Sequence, residues 1–361
     1  MPQPGSDGPE PAACFDLMLA GFDRAAQQAG SPTDAYYRFG HLTARLRFAG
    51  GALVPVVAPA LEHLRVEATP APDLDVHLWD SASTGEPLSP LLALLNREIK
   101  RNPYLWLSPR HEIVGVTNDR VPAARDRWSG VLSVFDRASQ RAVYWVNDAS
   151  EVPYFEKGAP MRTLLSWWLS GARYQPTHAG AVGFEDGGVM LAGKGGSGKS
   201  TTALLCLDAG LGYTADDYCM FSTDAPPRAF SMYNTAKLNG SDDLDRQPRY
   251  ATMIENPEAV GNEKLMLFVA RHFPEQILVS FPIKAVILPQ VSDDAKPSLR
   301  EVSPGHALRA IAPTTLFQLP GAAGAALHSM GSLVEQTPCF ELRLGKDPTD
   351  VPSMITGLLD R

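Results

Sequence analysis

Apolar residues in the first part of the chain recur in short runs. Residues 42–48, 53–57, 74–79, 113–117, 131–135 and 142–146 are of strand length, and many of their members are β-branched or aromatic. Leu74, Val76 and Leu78 alternate with Asp75 and His77, the two-residue period of a half-buried strand. One helix is expected around residues 90–100. A second, amphipathic one over 161–170 (MRTLLSWWLS) joins this region to the second half of the chain, and its Trp167–Trp168 pair is read as packing.

The pattern then changes. Residues 181–192 read as strand, turn and strand with Asp186-Gly187-Gly188 at the turn, and 199–209 as a helix closed by Gly210. Next come a short strand at 213–215, a helix near 263–273, a buried strand at 284–288, a helix near 304–311 and a strand at 339–344. The last helix is expected to begin with Asp347 as N-cap and Pro348 in its first turn. The sum is an α/β nucleotide-binding domain over 161–361, preceded by a smaller α+β domain over 14–160. Residues 1–13, rich in Pro, Gly and acid, are expected to form a disordered lead-in.

Composition narrows the function classes. Among 361 residues, 32 Lys and Arg stand against 40 Asp and Glu, for a formal charge of −8 and no long basic run. Nucleic acid or an anionic membrane is therefore not expected as a partner, because phosphate attraction needs clustered cations. The four cysteines, Cys14, Cys206, Cys219 and Cys339, form no CxxC pair and read as small core hydrophobes. No signal peptide and no long uncharged apolar stretch is evident, so a soluble, cytoplasmic protein is expected.

The strongest chemical signal is Gly193-Lys194-Gly195-Gly196-Ser197-Gly198-Lys199-Ser200, a full GxxxxGK[ST] match between an apolar strand and a helix. Glycines let such a loop turn its backbone N–H groups and the helix N-terminus toward phosphate oxygens. Lys199 then reaches the outer phosphates, and the Ser200 hydroxyl can ligate Mg²⁺. Asp216-Asp217 come after Lys199 by one helix and one short strand. Paired acids there can divide two tasks, one ligating Mg²⁺ and the other accepting a proton from an attacking hydroxyl. His178, in Thr177-His178-Ala179-Gly180-Ala181, stands at the mouth of the strand pair leading to the loop.

The order His178-Ala179-x-Ala181, strand, Gly193 to Ser200, helix, Ala215-Asp216-Asp217 resembles the catalytic domain of the HPr kinase/phosphorylase family, which shares its fold with the phosphoenolpyruvate carboxykinases. The likeness is greatest to the HPr-kinase-like serine kinases of bacteria, including those acting on lasso-peptide precursors, and covers roughly 150–361. It extends to Ser231-Met232-Tyr233-Asn234-Thr235-Ala236-Lys237-Leu238, to Ala307-Leu308-Arg309-Ala310-Ile311-Ala312-Pro313 and to residues 339–348. The resemblance implies that Gly193, Gly195, Gly196, Ser197, Gly198, Lys199, Ser200 and Thr201 bind ATP phosphates. It implies Asp216 as general base, with Asp217 and His178 at the metal or orienting the base; the two aspartates can also exchange or share these roles. Ser200, Asp217 and His178 are thus the expected Mg²⁺ set. Lys237 is the candidate cation for the transferred phosphoryl group, and Lys264 and Arg309 are weaker ones.

The Arg-rich segment that serves phosphorolysis in the family has no clear counterpart, the nearby sequence being Arg246-Gln247-Pro248-Arg249-Tyr250. The reading is an ATP- and Mg²⁺-dependent kinase for a serine-type hydroxyl of a protein or peptide, recruited by the N-terminal domain. A metabolite kinase or carboxykinase-like enzyme and a nucleotide-sensing scaffold are the alternatives, and a homo-oligomer stays open.

Overall fold

The computed structural model describes residues 10–240, 243–244, 247–259, 264–321 and 323–360. By its internal contacts the chain forms two compact units, Met1–Pro59 with Leu64–Trp168, and Ala60–His63 with Leu169–Arg361. The passage from one to the other at Trp168 and Leu169 lies inside the helix Arg162–Ser170.

The first unit is built on a seven-stranded mixed sheet of β1 (Thr33–Phe39), β2 (Leu42–Phe48), β3 (Arg65–Val66), β4 (Leu74–Asp80), β5 (Ala123–Arg125), β6 (Leu132–Asp136) and β7 (Arg141–Val146), in the order β3-β1-β2-β4-β7-β6-β5. β4 pairs in parallel with both β2 and β7, and the remaining pairs are antiparallel. The helix Pro11–Ala29 buries Phe15, Met18 and Phe22 in one core with Trp79, Val134 and Val143. Of the expected lead-in, residues 1–9 lie outside the described ones, while Pro11 to Ala13 form the first turn of that helix. Proline suits that position, where its missing N–H costs nothing.

Two expected strands are absent. Residues 54–61 form the helix Val54–Leu61, with Pro55 in its first turn, because a short unbroken apolar run does not separate strand from helix. Residues 113–117 contribute one bridge, Leu107 to Ile113, and then a turn.

The second unit carries a nine-stranded mixed sheet. Its strands are β8 (Tyr174–Thr177), β9 (Ala179–Phe184), β10 (Gly187–Ala192), β11 (Gly212–Ala215), β12 (Cys219–Ser222), β13 (Arg228–Ser231), β16 (Ser280–Gln290), β17 (Ser298–Glu301) and β18 (Cys339–Arg343). β14 (Thr235–Leu238) and β15 (Leu265–Phe268) form a separate antiparallel ribbon. The central strand, β16, pairs in parallel with β10 and β18 and antiparallel with β13.

Its buried residues alternate between two faces. Val189, Leu191, Ala285 and Ile287 share a core with Ala203 and Leu204 of the helix Lys199–Asp208 and with Val351 and Ile355 of the helix Val351–Leu359. Met190, Ala192, Val286 and Leu288 share another with Ala307 and Ile311 of the helix Pro304–Gln318 and Met330 of the helix Ala323–Gln336. Both faces are covered, which is why these strands read as continuous apolar runs. All four cysteines are free and buried.

Other boundaries moved. The helix expected near 263–273 is strand β15 and then the short helix Val269–His272, with residue 263 outside the described ones; pairing with β14 overrides local propensity. The last helix starts at Val351, and the Asp347 carboxylate instead accepts from the Thr349 N–H and hydroxyl and from Lys296. Among the described residues no helix is long and apolar enough to cross a membrane.

Glu156 is a pH-sensitive point of the first unit. Buried, it accepts from the Tyr144 hydroxyl at 3.0 Å and the Met161 N–H at 3.3 Å, and burial pushes its carboxyl up from 4.5 to about 7. The folded state therefore holds this proton more tightly than the unfolded chain does. Stability from this group is full below about pH 4.5 and is lost as pH rises toward about 7, at on the order of 1 kcal/mol per unit. Glu156→Gln is expected to flatten that decline, seen as a smaller change in thermal midpoint across the window.

Candidate functional site

Strand register gathers the motif residues. Ala192, the last residue of β10, pairs with Ala179, the first of β9, and Ala215, the last of β11, pairs with Ala181. His178, the glycine loop from 193 and Asp216-Asp217 therefore all leave the sheet at one end. β9 carries no side chain at Gly180, where a Cβ would stand 3.1 Å from the Asp216 carbonyl oxygen and 3.2 Å from that of Ala215.

The loop has the conformation its glycines permit. Gly196 and Gly198 sit at φ +75° and +105°, and a side chain at Gly198 would collide with Leu344. Gly198 is the N-cap of the helix Lys199–Asp208 and makes no side-chain cap, so that helix opens with unsatisfied backbone donors. Lys199, 6% exposed, donates from Nζ to the carbonyl oxygens of Gly193 at 2.9 Å and Lys194 at 3.2 Å. Two of its three donors thus hold the loop. Burial lowers its pKa, and Asp217 and Asp216 pull it back up. Ser197 Oγ is buried without a hydrogen-bond partner, while Ser200 and Thr201 stand half-buried in the first helical turn.

The two acids differ in environment. Asp216 is 1% exposed, and its Oδ2 accepts the Lys237 N–H at 2.8 Å while Oδ1 has no hydrogen bond. Burial and the neighbouring charge of Asp217 push its carboxyl up to about 6, against the pull of the Ser200 hydroxyl and the Lys237 N–H. Asp217 Oδ2 accepts from Lys237 Nζ at 2.6 Å, and Oδ1 lies 2.8 Å from His178 Nε2. Burial acts to raise this carboxyl, but the Lys237 ammonium and His178 outweigh it and hold it well below the usual range. Burial also lowers His178, which favours the neutral ring. Its Nε2–H then donates to the carboxylate, and Nδ1 is left buried without a partner.

Three neighbours escaped the sequence reading. The Tyr218 ring lies 5.5 Å from that of His178 and 5.9 Å from Lys237 Nζ, its hydroxyl donates to Gln318 Oε1 at 2.5 Å, and Thr315 Oγ1 accepts the His178 N–H at 3.2 Å. Tyr218 directly succeeds the acid pair in the chain, whereas Thr315 and Gln318 carry no local signal. Of the weaker candidates, exposed Lys264 acts on Asp216 and Lys199 only through its charge. Arg309 lines, with His306, a pocket of about 490 Å³ shared with Gly193, Gly196 and Ser197. Arg249 pairs with Asp208 at 2.7 Å, and residue 246 lies outside the described ones.

Among the described residues no group of three or more His, Cys, Asp or Glu is placed to hold a metal by itself. The Ser200 hydroxyl, close enough to Asp216 to lower its carboxyl, suits Mg²⁺ of the kind bound by few protein oxygens together with nucleotide phosphates.

Lys237→Met is expected to strand the Asp217 charge and lower stability by about 1–3 kcal/mol. Lys237→Met combined with Asp217→Asn should recover part of that loss in a urea-denaturation double-mutant cycle.

No family model and no curated protein matches the chain. Among solved structures it is similar to the HPr(Ser) kinase/phosphatase from Coxiella burnetii, at 12% identity and a TM-score of 0.30 over 52% of this chain and 94% of that one.

Proposed function

We propose that this protein is an ATP- and Mg²⁺-dependent phosphotransferase that moves the γ-phosphoryl group to a serine-type hydroxyl of a protein or peptide. The observation that carries this reading is the meeting, at one sheet end, of a glycine loop capped by a buried lysine with two carboxylates held in different states. Phosphoryl transfer asks for a phosphate cradle, a cation at the transferred group and a base for the attacking hydroxyl, with little else from the protein.

Backbone N–H groups of residues 193–201 and the helix N-terminus bind the phosphates, with Lys199 turning its ammonium toward the outer ones. Asp216 Oδ1, the free oxygen, takes the proton as the acceptor oxygen bonds to phosphorus and the bond to the ADP oxygen breaks. A carboxyl raised to about 6 suits that task near neutral pH. Asp217 is the poorer base, since Lys237 and His178 already occupy it; it orients those groups, and Lys237 supplies positive charge beside the reacting phosphate. Mg²⁺, held through Ser200 and the nucleotide's own phosphates, would neutralise charge there. The choice of acceptor rests on the likeness of the motifs to serine kinases.

The test is incubation of the full chain with γ-labelled ATP, Mg²⁺ and a size-fractionated lysate of its host. Label should enter a discrete peptide or protein, vanish with Lys199→Ala or a chelator, and fall by roughly 10²–10⁴-fold with Asp216→Asn. Label confined to the small-molecule fraction would make it a metabolite kinase, and ATP binding without transfer would make it a sensor.

A further inference from the structure

Among the described residues, one buried cation of the first unit has no counter-ion. Arg125, on β5, is 5% exposed, and its guanidinium donates to Asn96 Oδ1 and, at 3.4 Å, to the Asp126 backbone oxygen. No described carboxylate pairs with it. The adjacent Asp126 carboxylate is engaged by His111 at 2.9 Å and by the N–H groups of Trp128 and Ser129. Burial lowers the Arg125 pKa, and the nearby charge of Asp126 offsets this only in part.

That guanidinium lines a pocket of about 390 Å³ together with Lys100, Pro103, Arg127, Trp128 and Glu151. Three cations there face one carboxylate. A smaller pocket of about 100 Å³ shares Arg125 and Lys100 and adds Asp148. At the rim the Arg127 guanidinium lies 4.5 Å from the Trp128 ring centre and 5.1 Å from that of Tyr104. Both rings face solvent, Trp128 at 69% and Tyr104 at 82% exposure. Tyr, Trp and Arg are the side chains that carry most binding energy at interfaces, and here they form one cluster beside a buried positive charge.

We propose that this pocket and its aromatic rim bind an acidic peptide segment, a carboxylate entering toward Arg125 and an apolar side chain resting on Trp128 and Tyr104. Charge complementarity selects the occupant. A carboxylate matches the arginine fork in two parallel hydrogen bonds and neutralises the buried charge. A nucleic acid would need a continuous basic track, which a chain of net charge −8 with Glu151 and Asp148 at this site does not offer. A free phosphate would leave the aromatic rim without a role. The inference is independent of phosphotransfer.

Fluorescence anisotropy of the full chain, without nucleotide, tests it with a short fluorescein-labelled peptide of glutamate and phenylalanine. Binding should weaken roughly tenfold or more with Arg127→Ala, Trp128→Ala or Arg125→Met, and likewise when glutamine replaces glutamate in the peptide. Arg127→Ala and Trp128→Ala alter the rim, so they remain informative if Arg125→Met fails to fold. Equal binding of the glutamine peptide, or unchanged affinity in the rim variants, would overturn the proposal. So would displacement of the peptide by oligo-dT or inorganic phosphate at lower concentration than by unlabelled peptide.

Discussion

Two carboxylates side by side at the end of one strand repel each other, and one residue answers both. The Lys237 backbone N–H donates to Asp216 and its ammonium to Asp217. The remaining oxygen of Asp217 lies against His178, 39 residues back in the chain. Burial and then the retained charge of Asp217 push Asp216 toward neutrality, while Lys237 and His178 keep Asp217 ionised, and the pair separates into an ionised anchor and a carboxyl poised near neutral pH. The ribbon of β14 and β15 owes its part in the site to this, since β14 is what carries Lys237 to the acid pair.

The sheet supplies the rigidity such an arrangement needs. Antiparallel pairing of β9 with both β10 and β11 sends three connections out at one end, and helices on both faces bury the strands that carry them. A shift of one residue in either register would turn the apolar side chains of a strand toward the wrong core. The position of the glycine loop relative to the acids is therefore as well determined as the core itself. Lys199 adds a local restraint by tying its ammonium to two carbonyl oxygens of the preceding loop.

The first unit has its own sheet and core, and its chemistry lies in connections rather than strands. The segment after β5 turns on Asp126, whose carboxylate gathers the N–H groups of Trp128 and Ser129 and the ring of His111. That turn places Arg127 and the exposed Trp128 beside the buried Arg125, the last residue of β5, so that all three line one pocket.

Where residues interact with near neighbours in the chain, the sequence was enough. The glycine loop of 193–198, the strands β2, β4, β7 and β10 and the helix Lys199–Asp208 come from periodicity, turn chemistry and the backbone freedom of glycine. It was not enough where an unbroken apolar run could serve either element, as at Val54–Leu61, or where a distant strand captured a segment, as at β15. The difference between Asp216 and Asp217, the places of Thr315 and Gln318 and the burial of Arg125 outside any ion pair were decided by tertiary structure alone. Each depends on burial and on partners distant in sequence, and neither quantity is encoded in a residue's identity or its immediate neighbours.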